Sequence, residues 1–294
     1  MRYAFLLILP LALAALSIAD SQNLVVNVNL TLLNVFVEDE NGLPVLDLTA
    51  DDFLITENGQ TRPVKHLLLQ THSVAVGLLL DRSSSIAPVK ENLDQAVIHI
   101  LEASRPGDPV FLMTFAGTNE LKVPWTTTHQ AVLNVLRKPK LGFGSRVYEA
   151  LAESIGYLAS SQLERKVLIL VSDGADHYST FTIEQVTDMA MLNGINVYMV
   201  GYFGNDSRTS SKNGRREVQG QFEHLARMTG GDAIFAADGT DCSKAARQFL
   251  TRVQYDYQIG FYSSEPLTDS RDVHVKLREG RSGRVMVRNS KPVS

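Results

Sequence analysis

The sequence predicts an α/β fold: a doubly wound, mostly parallel sheet inserted between N- and C-terminal β segments that together form a small antiparallel β module. Three observations carry this reading. Seven residues from Val74 to Leu80 are wholly apolar and end in Asp81, the pattern of a strand buried on both faces. Apolar runs then alternate with helically spaced ones as far as Val253, which is the order of a doubly wound domain. Period-two strand patterns bound this region on both sides, each with too few strands to stand alone, so they are expected to pair with each other. The predicted organisation is a signal peptide over 1–19, an N-terminal β segment over 20–70, the α/β domain over 71–253 and a C-terminal β segment over 254–294.

At the start, Met1-Arg2 gives a short positive region, Phe5 to Leu16 is almost wholly apolar, and Ser17-Ile18-Ala19 supplies small residues before a cleavage point. The apolar stretch is short for a membrane span, which needs ~20 residues. Export to the periplasm or beyond is expected, without a membrane span after cleavage; an uncleaved anchor is the alternative. In the N-terminal segment, Val26, Val28, Leu30 and Leu32 alternate, and Leu33, Val35 and Val37 continue in the opposite phase. That slip predicts a bulge or a strand passing between two sheets. Asn41-Gly42 and Asn58-Gly59 read as turns, with strands at Phe53 to Glu57 and Val64 to Leu69.

Within the α/β region, Leu93, Ala96, Val97, Ile100 and Leu101 recur at helical spacing. Val110 to Phe115 is a second buried strand, and Leu121 to Trp125 a short one marked as an edge by Pro124. Helices follow at Gln130 to Leu136 and Val147 to Leu158, a strand at Val167 to Val171 and a helix at Ile183 to Leu192. Ile195 to Val200 is strand, Val218 to Met228 helix, Ala233 to Ala236 strand and Ser243 to Val253 helix. Strand signals return at Tyr255 to Tyr262, Val273 to Leu277 and Val285 to Val287. Tyr202 to Gly220 reads as a long polar loop carrying Arg208, Lys212, Arg215 and Arg216. It is either a solvated mobile loop or a rim that selects an acidic partner.

Composition narrows the function. The chain of 294 residues is 44% hydrophobic and 20% charged, the balance of a globular protein. A net charge of −4 with no long basic run argues against a nucleic-acid-binding role; Arg137, Lys138 and Lys140 read as solvated surface. Cys242 is the only cysteine, so no internal disulfide forms and stability rests on core burial.

The chemistry gathers in three segments. Asp81, Ser83 and Ser85 form an Asp-x-Ser-x-Ser loop at the carboxyl end of the first buried strand, where open α/β sheets place ligands. Gly144-Ser145-Arg146-Val147-Tyr148-Glu149-Ala150-Leu151 and Val167-Leu168-Ile169-Leu170-Val171-Ser172-Asp173-Gly174 follow in chain order. Together the three resemble the von Willebrand factor A domain over about 74–250. Val37 to Glu57 and Tyr257 to Tyr262 resemble a bacterial branch, the VWFA-related secreted proteins first grouped from Acidobacteria.

The resemblance implies a metal-ion-dependent adhesion site. Ser83, Ser85 and Ser145 would bind the ion directly, and Asp81 and Asp173 directly or through water. An all-oxygen set of hydroxyls and carboxylates suits Mg²⁺ or Mn²⁺. A carboxylate from a protein partner would complete the shell, which implies an exported, non-catalytic adhesion protein. A metal-dependent hydrolase using Asp81 and Asp173, or a scaffold with a vestigial site, are the alternatives. Two departures stand out. Ser145 replaces the family's usual threonine, and Arg82 occupies the variable second position, where it would repel a cation or hold an anionic partner. Asp176 and His177 read as a solvated helix-capping turn rather than a second metal or acid–base pair. Gly142-Phe143-Gly144 lacks the glycine pattern of a dinucleotide loop. His72, His99, His129, His224 and His274 show no metal or triad spacing.

Overall fold

A computed structural model describes residues 29–236, 242–263 and 272–288; the expected signal peptide, and Val26 and Val28, lie outside the described residues. The described residues open with β1 (Asn29–Glu38), β2 (Phe53–Glu57), β3 (Gln60–Arg62) and β4 (His66–Thr71). The α/β region runs β5 (Val74–Asp81), α1 (Lys90–Ala103), β6 (Val110–Phe115), β7 (Asn119–Thr126), α2 (His129–Leu136), α3 (Val147–Ala159) and β8 (Arg165–Ser172). It continues with α4 (Ile183–Leu192), β9 (Ile195–Tyr202), α5 (Lys212–Met228), β10 (Ala233–Ala236) and α6 (Cys242–Gln254). Strands β11 (Tyr255–Ser263), β12 (Val273–Leu277) and β13 (Arg284–Arg288) close the chain.

Strands from both ends of the chain make two small antiparallel sheets, ordered β13-β1-β11-β4 and β12-β2-β3. They share one core in which Leu33, Val35, Phe53, Ile55, Tyr257, Ile259 and Phe261 meet. The Tyr257 hydroxyl donates to Val45 O at 3.0 Å and accepts from Leu48 N at 3.0 Å, fixing the loop between β1 and β2. Asn58 and Gly59, with φ of 49° and 78°, form the tight turn between β2 and β3. The strand expected at Val64 to Leu69 is β4, two residues later, and β3 was not foreseen because Gln60–Arg62 carries no apolar residue.

The bulge expected in β1 is absent. Its ladder with β11 runs unbroken from Asn29↔Ser263 to Val35↔Tyr257. Thr31, Leu33, Val35 and Val37 face the core in one phase. Leu30 and Leu32 occupy the opposite face, where both approach Gly260, whose missing side chain leaves them room. Apolar residues on both faces made one continuous strand look like two in opposite phase.

The central sheet has the order β10-β9-β8-β5-β6-β7 and is parallel except for the antiparallel edge strand β7. All residues of β5 and β6 are buried, as a doubly covered sheet requires. One face packs on α1, α2 and α6 through Leu93, Val97, Val132 and Phe249, and the other on α3, α4 and α5 through Leu151, Val186 and Phe222. Helix α5 begins at Lys212, so the expected 202–220 loop is half that length. Ser211 caps the helix by accepting from Gly214 N at 3.0 Å. Its first turns expose Lys212, Arg215 and Arg216 and bury nothing before Val218, and for that reason they read as loop in the sequence.

This domain is an insertion in the β module. β4 leads into β5 after two residues and α6 leads directly into β11, and Thr71 and Tyr255 are partners in one ladder. Ion pairs seal the junction. The Arg165 guanidinium donates to Asp256 at 2.6 Å, and Arg252 of α6 reaches Glu38 of β1 at 3.0 Å and Asp232 at 2.7 Å.

Deleting the residues after Gln254 removes both neighbours of β1. Its apolar face, worth ~25 cal/mol per Å² of burial, then has no cover. Hydrogen exchange should show protection lost across Leu30 to Val37, whereas unchanged protection would mean the N-terminal strands stand without β11 and β13.

Asp52 ties the two ends of the module at an exposed point. Its carboxylate accepts from Thr49 N at 2.7 Å and from Arg281 Nε at 2.9 Å, which lowers it from the ordinary 3.8 to about 2. Because the folded group titrates below the unfolded one, its stabilisation is complete above about pH 4 and fades as pH falls towards 2. Asp52→Asn should flatten the fall in urea midpoint across that window and leave stability at pH 7 near the lower, acid-side increment; a midpoint with the wild-type acid slope would contradict this.

Candidate functional site

The five residues named from sequence lie in loops at the carboxyl edge of the central sheet. β5 ends in Asp81, and the backbone then drops into a short 3-10 turn over Ser84–Val89, held down by buried Ile86. Arg82 N donates to Phe115 O at 2.8 Å and Gly142 N to Arg82 O at 2.8 Å, so this loop is fixed by those after β6 and α2. Ser83 forms a parallel bridge with Gly142. Ser145 enters from the approach to α3. Its carbonyl accepts from His177 N at 3.1 Å, which sets it beside the loop after β8 that carries Asp173.

Four of the five side chains are joined by hydrogen bonds. Ser83 N donates to Asp81 Oδ1 at 2.7 Å, the hydroxyls of Ser83 and Ser85 lie 2.9 Å apart, and Ser85 Oγ donates to Asp173 Oδ2 at 2.9 Å. Ala175 N donates to Asp173 Oδ1 at 3.0 Å. The fifth differs. Ser145 Oγ is buried and has no hydrogen-bond partner among the described residues. A buried hydroxyl in that state costs about 1–3 kcal/mol of desolvation.

Both acids are fully buried. Burial raises Asp81 against the opposing hydrogen bonds from Ser172 and Ser83. Burial and then the neighbouring Asp81 charge push Asp173 up to about 7. Two carboxylates whose charge the fold opposes and three hydroxyls, one of them without a partner among the described residues, make an all-oxygen donor set of the kind small hard cations prefer. Among the described residues no three His, Cys, Asp or Glu side chains gather to hold a metal, so at this edge serine hydroxyls would have to supply the remaining ligands.

Residues matching the family profile of the von Willebrand factor type A domain span 76–175, from β5 to the loop after β8. This chain contains a von Willebrand factor type A domain. A solved von Willebrand factor type A protein from Catenulispora acidiphila shares the fold at a TM-score of 0.51 and 10% identity, covering 90% of this chain and 73% of that one. An aerotolerance-related membrane protein from Bacteroides fragilis matches at a TM-score of 0.49 and 16% identity, over 61% of this chain and 98% of its own. The von Willebrand domain of the type V pili tip protein Mfa5 from Porphyromonas gingivalis matches at 0.46 and 12%, over 62% and 94%. Among curated proteins nothing matches the sequence.

The A domain's site has parts the motif does not name. Ser172 Oγ donates to Asp81 Oδ2 at 2.6 Å and accepts from Gly174 N at 2.9 Å, which aims the Asp81 carboxylate. Its place in Ser172-Asp173-Gly174 was visible in sequence, but its direction was not. Arg82 meets neither role expected of it. Its Nη2 donates to Asp94 Oδ1 at 2.6 Å and Lys90 donates to Oδ2 at 2.9 Å, so its charge is answered inside the fold by α1. Asp176 is a capping residue, as expected, but a buried one. It accepts from Val147 N at 2.8 Å at the start of α3 and from the Ser179 hydroxyl at 2.5 Å. His177 Nε2 lies 2.6 Å from Asp206 Oδ2, which ties the loop after β9 to the same edge.

That loop, residues 203–211, presses on the site. Asn205 N donates to Ser85 O at 2.9 Å. A Cβ on Gly204 would stand 2.3 Å from Ser85 O, a contact no side chain tolerates. Gly204→Ala should therefore move the loop or Ser85 and destabilise the protein by about 1–3 kcal/mol, measured by urea unfolding. An unchanged midpoint would show that the loop lifts off Ser85 freely.

Proposed function

We propose that this protein is an exported, non-catalytic binding protein that captures a protein partner through a divalent cation held by Asp81, Ser83, Ser85, Ser145 and Asp173. The observation that supports it most is the buried Ser145 hydroxyl, without a hydrogen-bond partner among the described residues, on the sheet edge that also carries two acids whose charge is opposed by burial. A buried hydroxyl left in that state is a natural place for a water or an ion to complete its hydrogen bonding. Mg²⁺ or Mn²⁺ fits the donor set, and Ser172 and the Ser83 and Ala175 amides hold the two carboxylates in place for it. Neutral hydroxyl ligands leave a bound cation electron-poor towards solvent, where a carboxylate from the partner completes its shell. Cation and partner then strengthen each other's binding reciprocally. Export rests on the apolar N-terminal run and its small-residue boundary. No helix among the described residues is long and apolar enough to cross a membrane.

Calorimetric titration of Mg²⁺ and Mn²⁺ into wild type, Asp81→Ala, Asp173→Ala and Ser145→Ala tests the reading. Wild type should take up the ion at millimolar concentration. Both aspartate variants should lose it, and Ser145→Ala should bind about tenfold more weakly, the scale of one lost ligand. In metal-free buffer Ser145→Ala should equal or exceed wild type in stability, because it removes a hydroxyl with no partner. Absence of uptake by wild type, or cation-dependent turnover of generic phosphoester or peptide substrates, would overturn the proposal.

A further inference from the structure

Two basic pockets flank the Ser83–Ser85 segment, and each is reached through the glycine that touches it. On one side Gly204 meets Ser85, and its neighbour Phe203 floors a pocket of about 350 Å³ lined by Lys212, Arg215, Arg216 and Phe235. Phe203 and Phe235 stack at 5.2 Å, and the Arg215 guanidinium lies over Phe203 at 5.1 Å. Arg215 Nε is held by Thr209 O at 2.7 Å, and among the described residues no carboxylate pairs with Lys212, Arg215 or Arg216. On the other side Gly142 bridges Ser83 and borders a pocket of about 420 Å³ that includes Lys122, Lys138 and Lys140. Its one acid, Glu120, is paired with Lys122. The protein as a whole carries a net charge of −4, so this concentration of cations on one edge, without carboxylate partners among the described residues, is not a by-product of a basic chain.

We propose that the partner presents an acidic polypeptide segment that lies across this edge, with carboxylates in both basic pockets and one between them at the Asp81–Ser83–Ser85–Ser145–Asp173 cluster. Only the central contact rests on the cation reading; the pockets bind through their own charge. A polypeptide fits better than a polyphosphate backbone, because the edge also offers apolar anchors. Phe143 is 90% and Tyr178 65% exposed, and both adjoin Ser145, Phe143 in sequence and Tyr178 through the Tyr178 N to Ser145 O hydrogen bond. Exposed aromatics beside charged pockets are the usual anchors of protein interfaces.

The probe is a fluorescein-labelled oligoglutamate peptide, followed by anisotropy in millimolar Mg²⁺ and in EDTA. Lys212→Glu with Arg216→Glu, and separately Lys138→Glu with Lys140→Glu, should each weaken binding by about tenfold or more and leave the calorimetric uptake of Mg²⁺ unchanged. All four residues are exposed, so circular dichroism should report an intact fold. If EDTA leaves binding intact while both reversals weaken it, the basic pockets stand and the cation reading falls. If EDTA abolishes binding while the reversals have no effect, the cation reading stands and the present inference falls. It also falls if wild type ignores the peptide, or if an oligothymidylate binds as tightly as the peptide does.

Discussion

The A domain leaves and re-enters the β module at one point, the ladder in which Thr71 of β4 pairs with Tyr255 of β11. An inserted domain must bring its two ends together, and here the host sheet does so with backbone hydrogen bonds. Everything else depends on that closure. β5 starts two residues beyond it and runs buried through the middle of the central sheet, so its direction fixes where Asp81, Ser83 and Ser85 emerge. α6 returns along the same face, and Arg252 on it grips Glu38 of β1 and Asp232 before β10. The Arg165–Asp256 pair, its carboxylate buried and its guanidinium half-buried, stands beside the crossing itself.

At the far edge the candidate site gathers acids whose charge the fold opposes. Burial raises both Asp81 and Asp173, the Asp81 charge raises Asp173 further, and their hydrogen bonds only partly offset this. The surrounding loops are tied down firmly, by Gly142 against Arg82, by His177 against Ser145 and Asp206, and by Asn205 against Ser85. Rigid loops around electrostatically uneasy acids are what a preorganised binding site requires. The cost of holding the acids there is carried by the apolar layers on both faces of the sheet.

Much of this was legible in the chain. The apolar run from Val74 fixed the central strand, and the three motif segments named the loops that meet at the edge. Where reading failed, the reason lay in contacts between distant residues or in surface polarity. β1 looked broken because Leu30 and Leu32 fill space over Gly260, a partner that sequence spacing cannot reveal. The start of α5 looked like loop because Lys212, Arg215 and Arg216 face solvent. Asp176 looked solvated, yet it caps α3 across a gap of 29 residues. Arg82 looked like part of the site until Asp94, twelve residues on, claimed its charge.

The shared doorway between module and domain also sets the path of mechanical load. β4 and β11 enter the A domain from the same end of their ladder, so a pull on the A domain draws both strands in one direction and does not peel one from the other. The strain passes instead to the neighbouring rungs between β11 and β1, from Asn29↔Ser263 to Val35↔Tyr257, which meet it lengthwise and together. A domain mounted this way is tethered by two strands of its base rather than hung from a single thread.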